Sequence, residues 1–293
     1  MAAGWAANFN HQQLQHKVLR PMQQRHASSP RETVTLTTDQ LREQFLIEQL
    51  FVEGQIEFVY SHYDRMIVGG AVPAGQTLTL PNPANLKANY FLERRELGIL
   101  NVGSAGQVTV DGTSYELGNQ DCLYVGKGAQ IIMFSGSAAR YYLLSAPAHA
   151  THPTTLRTQA EATPVEMGSM ETANERTIYK YIYNEGIQSC QLVMGLTQLK
   201  PGNVWNTMPA HTHDRRMEAY LYFNLPPNQR VLHLMGEPNQ TRPLWVSNEQ
   251  AIISPPWSVH TGCGTSAYAF IWGMAGENLE YTDMDAVGIH DLR

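Results

Sequence analysis

Cysteine is scarce in this 293-residue chain, at three residues: Cys122, Cys190 and Cys263 are far apart, odd in number and form no CxxC pair. That excludes a disulfide framework and fits a reducing compartment. Basic clusters are also missing. Lys and Arg number 20 against 26 Asp and Glu, for a net charge of −6. Nucleic acid and anionic membrane surfaces need a positive footprint, so neither is an expected partner. A small anionic substrate needs only a few local arginines. No apolar run approaches the ~20 residues of a membrane helix. The amino terminus has neither the basic start nor the continuous apolar stretch of a signal peptide, so a cytoplasmic location is expected. No glycine-rich dinucleotide fingerprint follows a strand-like run.

Hydrophobic residues make up 43%, and 23 glycines and 16 prolines are spread along the chain, which suits a large core cut by many turns. Residues 1–32, rich in Gln, His and Ala, show no period and read as a loosely ordered extension. "TTDQLREQFLIEQLF" then predicts a helix capped by Thr38 or Asp39, with Leu41, Phe45, Ile47 and Leu50 as its apolar stripe. From about residue 55 the pattern changes to short alternating runs between turn residues, with "VDG" as a hairpin signal. A polar bridge near 150–175 divides an N-terminal domain, 33–160, from a C-terminal one, 161–293. The expected fold is all-β, a sandwich or barrel in each half. The halves echo one another: "GNQDCLYVGKGAQI" ends in Ile131 where "SNEQAIISPPWSVH" ends in His260.

The stretch "PAHTHDRRMEAYLYF" does not read as ordinary core. His211 and His213, two apart, project together from a strand. Glu218 has the wrong parity for the same strand. Asp214, Arg215 and Arg216 are therefore read as a polar turn, with Glu218 facing the histidines across a hairpin. His260 arrives from a distant strand after the rigid "SPPWSV". Three imidazoles and one carboxylate suit zinc, and also Fe, Mn or Ni. A lone HxH would be weak evidence; its coincidence with Glu218 and His260 decides in favour of a metal site.

A substrate carboxylate needs a cation. Arg176 and Lys180 in "ERTIYKYI" are the first choice, with Arg215, Arg216 and Arg242 behind them. His62, His149 and His152 have no partner at ligand spacing and read as structural or surface residues. Trp205 and Trp257 read as pocket walls. Tyr222, which shares the parity of Glu218, and His233, on an otherwise apolar strand, are the residues able to reach substrate.

The pair of histidine motifs resembles the cupin superfamily: His211-Thr212-His213, four residues, Glu218, then Pro255 and His260 in the second motif. Gly202 is displaced from the position before HxH, Trp257 replaces the second motif's glycine, and Gly264 stands where asparagine is common. Longer words are more specific. "YFLERRELGILNVG", "GNVWNTMPAHTHDRRMEAY", "NEQAIISPPWSVHTGCGT" and "FIWGMAGEN", in that order, resemble the 5-keto-4-deoxyuronate isomerase family of pectin breakdown, from about Met22 to Arg293. The resemblance implies a double cupin with one Zn2+ per chain, held in the C-terminal barrel by His211, His213, Glu218 and His260. It implies a cytosolic homo-oligomer, a hexamer in the family. It also implies ketol isomerisation of a small anionic keto-uronate, 4-deoxy-L-threo-5-hexosulose uronate, to 3-deoxy-D-glycero-2,5-hexodiulosonate through an enediolate. The base lies outside the ligand set, at Tyr222, His233 or a metal-bound water. Two alternatives stay open at this level: a metal-dependent cupin dioxygenase and a non-catalytic sugar-binding double cupin.

Overall fold

The computed structural model describes residues 22–293. The first 21 residues of the expected loose extension lie outside that range. The chain is almost entirely strand, arranged twice over in the same order. In the first half a seven-stranded sheet runs Gln23–Arg25, Gln55–Ser61, Ile67–Val72, Tyr141–Pro147, Arg95–Asn101, Cys122–Val125, Thr155–Arg157. A four-stranded sheet of Leu78–Thr79, Ile132–Ser135, Gly106–Val110 and Thr113–Leu117 faces it. In the second half the seven strands are Pro164–Met167, Arg176–Ile182, Val193–Leu199, Ala269–Gly276, Arg216–Phe223, Gln250–Ser254 and Leu46–Ile47. Its four-stranded sheet is Trp205–Asn206, Thr261–Gly264, Val231–Met235, Arg242–Val246.

Burial follows sequence pattern. Val231–Met235 alternates buried and half-buried positions, as a strand with one wet face does, whereas Arg216–Phe223 is buried at every position. The large sheets are covered twice, by their own barrel interior and by the other half. Tyr124, Tyr142 and Leu144 share one hydrophobic cluster with Ile182, Met194 and Ile271. Gly98 and Gly273 permit that approach: a Cβ on Gly98 would stand 2.8 Å from Met194 Sδ, and one on Gly273 2.0 Å from Leu144 Cδ1. The "VDG" hairpin is present, with Val110 paired to Thr113 and positive φ at Asp111 (46°) and Gly112 (88°), as a two-residue type I′ loop requires.

A buried carboxylate also joins the halves. Glu96, 0% exposed, accepts from Tyr124 Oη (2.8 Å) and from the backbone N–H groups of Cys190 (2.7 Å), Gln191 and Leu192 (both 2.8 Å). The last three residues lead into the second half's Val193–Leu199 strand.

The structure corrects the amino-terminal reading. Residues 22–32 are built into the fold: Gln23–Arg25 lies parallel on Val59–Ser61, and Ser29 caps a short helix, Pro30–Thr33. The helix Thr38–Phe45 is capped one residue earlier than expected, by Thr37, because Gln40 completes a capping box with it. Leu46 and Ile47 leave the helix as a strand and pair with Ile252 and Ala251. This segment therefore completes the second half's sheet rather than belonging to a domain that begins at residue 33. Among the described residues no helix is long and apolar enough to cross a membrane.

Candidate metal centre

Three elements converge at one mouth of the second barrel. Glu218 lies on the inner strand Arg216–Phe223, paired with Met274 on one side and Ser254 on the other. His260 ends the turn after Gln250–Ser254; that turn is closed by Ser258 N–H donating to Pro255 O (3.0 Å) and fastened by Gly236 N–H donating to Ser258 Oγ (2.8 Å). His213 N–H donates to Pro256 O (3.0 Å), which ties the histidine loop to the same turn. The expected hairpin is absent, because His211–Thr212 pairs instead with Asp285–Ala286 near the carboxy terminus.

Glu218 Oε2 stands 3.0 Å from His213 Nε2 and 2.7 Å from His260 Nε2; His260 Nε2 is 2.9 Å from His211 Nε2. All four donor atoms lie within 4.8 Å of one another, and among the described residues this is the one such group. The outer nitrogens are also engaged. His213 Nδ1 is 2.9 Å from Asp283 O and 3.3 Å from Arg216 Nε; the carbonyl, the closer contact, fixes the ring proton on Nδ1. His260 Nδ1 lies 3.3 Å from Ser258 O and from Ser254 Oγ. A ring that donates through Nδ1 turns the Nε2 lone pair inward. Burial, with His260 alongside, pushes the His211 pKa down to about 2. Burial alone would raise Glu218, but His260 and His213 overcome it and hold the carboxyl well below its usual range. Three imidazoles around an ionised carboxylate form a donor set for one divalent cation. The residues present fit a metal.

Arg216 is neither a turn residue nor a free cation. It opens the Arg216–Phe223 strand, is 0% exposed, and donates to the carbonyls of Glu280 (2.6 Å), Asp283 (2.9 Å), Tyr281 (3.2 Å) and Asn278 (3.4 Å). It thereby pins the carboxy-terminal segment across the mouth and holds the carbonyl that orients His213. Arg242 donates to the carbonyls of Thr33, Val34 and Leu36, and exposed Arg215 faces Glu277 at 3.9 Å. Neither serves the site. Lys180 is better placed: its cross-strand row runs Gly195, Trp272, Tyr220, so its side chain shares the interior face with Tyr220. Its Nζ lies 5.3 Å from the Tyr281 ring and 4.9 Å from that of Tyr183. Arg176, on the same face, is half-buried, donates to Asn174 O (2.8 Å), and is lowered in pKa by burial despite Tyr281, Tyr220 and Tyr268 nearby. Trp205 and Trp257 are half-buried.

Tyr222 and His233 are hydrogen-bonded to each other (Oη to Nδ1, 2.7 Å) and fully buried, and His233 Nε2 has no protein partner. Burial, reinforced by His260, pushes the His233 pKa down to about 3. Since that folded value lies below the 6.5 of a free imidazole, unfolding takes up a proton throughout the interval between them. Stability from this group is full above about pH 6.5 and declines as pH falls toward 3. Melting curves of the metal-free protein should show Tm falling across that window; a flat Tm would refute the buried neutral imidazole.

Two residues to which the sequence reading gave no role join the site. The Tyr220 ring lies 5.4 Å from that of His260, and its hydroxyl 3.2 Å from Thr207 Oγ1. Its parity with Glu218 was the available signal. Tyr281 packs on Trp272 (5.2 Å between centroids) from a segment with no period to reveal it.

The first barrel has no such donor set. Arg95–Asn101 occupies the place of Arg216–Phe223 in its sheet, and Ala148 N–H donating to Arg94 O (2.9 Å) repeats Glu277 N–H donating to Arg215 O (2.9 Å). This register sets Arg95 against Arg216 and Leu97, 0% exposed, against Glu218. Ile131, at the place of His260, is 54% exposed.

Residues 45–289 match the KduI/IolB family. The chain is 53% identical over 276 residues to the 4-deoxy-L-threo-5-hexosulose-uronate ketol-isomerase of Halalkalibacterium halodurans, covering 93% of this chain and 100% of that protein. It is 54% identical to the enzyme of the same name from Lachnoclostridium phytofermentans, with the same coverage. An IolB-like protein from Salmonella typhimurium superposes with a TM-score of 0.69 at 17% identity, over 83% of this chain and 96% of that one. Bacillus subtilis oxalate decarboxylase superposes at 0.58 and 11% identity, over 83% and 79%; these two likenesses establish the double-cupin fold. By sequence match along most of its length, the chain belongs to the KduI/IolB family.

Proposed function

We propose that this chain is a zinc-dependent ketol-isomerase that converts 4-deoxy-L-threo-5-hexosulose uronate to 3-deoxy-D-glycero-2,5-hexodiulosonate. Identity above 50% to enzymes of that name, across their whole length, carries the reading. The intact, buried donor set supports it, since a purely sugar-binding cupin has no need of four converging ligands. A bound zinc ion supplies Lewis-acid polarisation and charge stabilisation without redox chemistry.

The reaction moves one proton from C2 to C1 and one between the two oxygens, so substrate and product have the same composition. The four ligands hold their lone pairs for the ion, and the base is a different group. His233 is uncharged at neutral pH. Burial leaves that ring little affinity for a proton, so the hydrogen-bonded Tyr222–His233 pair orients groups at the site and does not serve as the base. The Tyr220 phenol is raised well above 10 by burial and stays protonated, as a donor to a substrate oxygen. Lys180 and Arg176, on the interior face, hold the carboxylate. The working form is a cytoplasmic homo-oligomer, in line with three cysteines that are all free.

Turnover should proceed fully under strict anaerobiosis and without a nicotinamide. In heavy water the product should carry deuterium at its new hydroxymethyl carbon. Strict dependence on oxygen would overturn the isomerase reading in favour of an iron dioxygenase on the same ligands. Turnover without deuterium would leave the isomerase reading standing and point to a hydride shift or to a proton transfer shielded from solvent.

A further inference from the structure

The mouths of the two barrels are closed differently. In the second, the chain after Gly276 crosses the mouth and its carbonyls saturate Arg216. In the first, Arg95 takes the same place, but the chain after Pro147 turns away to pair as Thr155–Arg157 with Cys122–Tyr124. Arg95, 7% exposed, donates to Ser145 Oγ (3.0 Å), Ser145 O (2.7 Å) and Arg65 O (2.6 Å). Its sequence neighbour Glu96 has both carboxylate oxygens engaged by Tyr124 and residues 190–192. Burial pushes the Arg95 pKa down to about 10, with Tyr60 and Glu96 offsetting only part of the penalty.

Where the second barrel has its strap, the first has a cavity of about 430 Å³. Arg95 and Phe91 form its buried base, Tyr60 a half-buried wall, and Arg65, Arg94 and His62 its exposed rim. Phe91 is fixed by stacking on Phe58 at 5.2 Å. Among the described residues no Asp or Glu lines the cavity, and the acid beside Arg94, Glu93 at 3.9 Å, is itself held by Asn89. Three guanidinium groups around one concavity repel one another, and an anion placed among them relieves that repulsion. Flat rings beside them suit the apolar face of a sugar, and the volume is that of a small-molecule site.

We propose that this cavity at the mouth of the first barrel is a second ligand site, separate from the metal centre, for a small carboxylate-bearing sugar acid. The assignment does not depend on the isomerase reading. D-galacturonate is the probe, titrated by calorimetry into the full-length metal-loaded chain, an His260→Ala variant and an Arg65→Ala/Arg94→Ala variant. Binding should persist in His260→Ala. It should weaken at least tenfold in the arginine variant, whose metal content and turnover at saturating substrate stay at wild-type levels. Equal affinity in the arginine variant, or loss of binding in His260→Ala, would overturn the site. Inorganic phosphate binding as tightly, with the same arginine dependence, would overturn the sugar-acid assignment.

Discussion

Replacing His260 by alanine is expected to empty the metal centre and stop turnover. His260 is the hub of the donor group, with Nε2 within 2.7 Å of Glu218 Oε2 and 2.9 Å of His211 Nε2. Loss of an outer-shell partner of a metal ligand costs roughly 10–100-fold in affinity, and loss of a ligand itself costs more. Elemental analysis should fall from one metal per chain to below about a tenth, with kcat/KM down by more than about a hundredfold. The first barrel contributes no ligand, so its fold should survive, read as an unchanged far-ultraviolet spectrum. Full metal content in the variant would show that the ion sits elsewhere. Two tightly bound ions in the wild type would contradict a donor set confined to the second half.

Glu96→Gln should produce the largest loss of stability of any conservative replacement in the first barrel. The carboxylate accepts four hydrogen bonds, three of them from backbone N–H groups of the other half. Glutamine keeps the shape, but its amide presents N–H groups toward donors that have no other acceptor. Breaking a buried charged interaction on one side costs about 3–5 kcal/mol. At this chain length each kcal/mol lowers Tm by about 2–4 °C, so a fall of about 10 °C is expected. Metal content should be unaffected at low temperature, which separates this effect from damage to the centre. A fall under about 2 °C would mean that water replaces the lost acceptor.

The metal ligands were legible in the sequence because their residue types are rare, their spacings are short and the chemistry requires them together. Their geometry was not. His211–Thr212 finds its partner at Asp285–Ala286, and nothing local in a two-residue strand announces a pairing so far along the chain. Arg216 reads as a turn residue and a candidate cation because burial of an arginine is legible only from its acceptors, here backbone carbonyls at 278–283 that carry no side-chain signal. Alternation identified the strands and the "VDG" hairpin. It could not assign Leu46 and Ile47, where the last apolar residues of a helical stripe become a strand in the distant half. Arg65 and Arg94 belong to no motif, and only the fold brings them to one cavity.

That exchanged strand carries a consequence for how the protein is made. Leu46–Ile47 leaves the ribosome about two hundred residues before Ala251 and Ile252, the edge it covers. Until then the helix Thr38–Phe45 keeps its apolar residues Leu41 and Phe45 without their final neighbours. The second barrel therefore cannot mature as an autonomous unit in translation order, as domains commonly do. Its last sheet edge is closed by a segment already waiting at the start of the nascent chain. A fragment beginning after the first barrel would expose Gln250–Ser254 as a bare, apolar strand edge, the kind of surface that seeds association between chains.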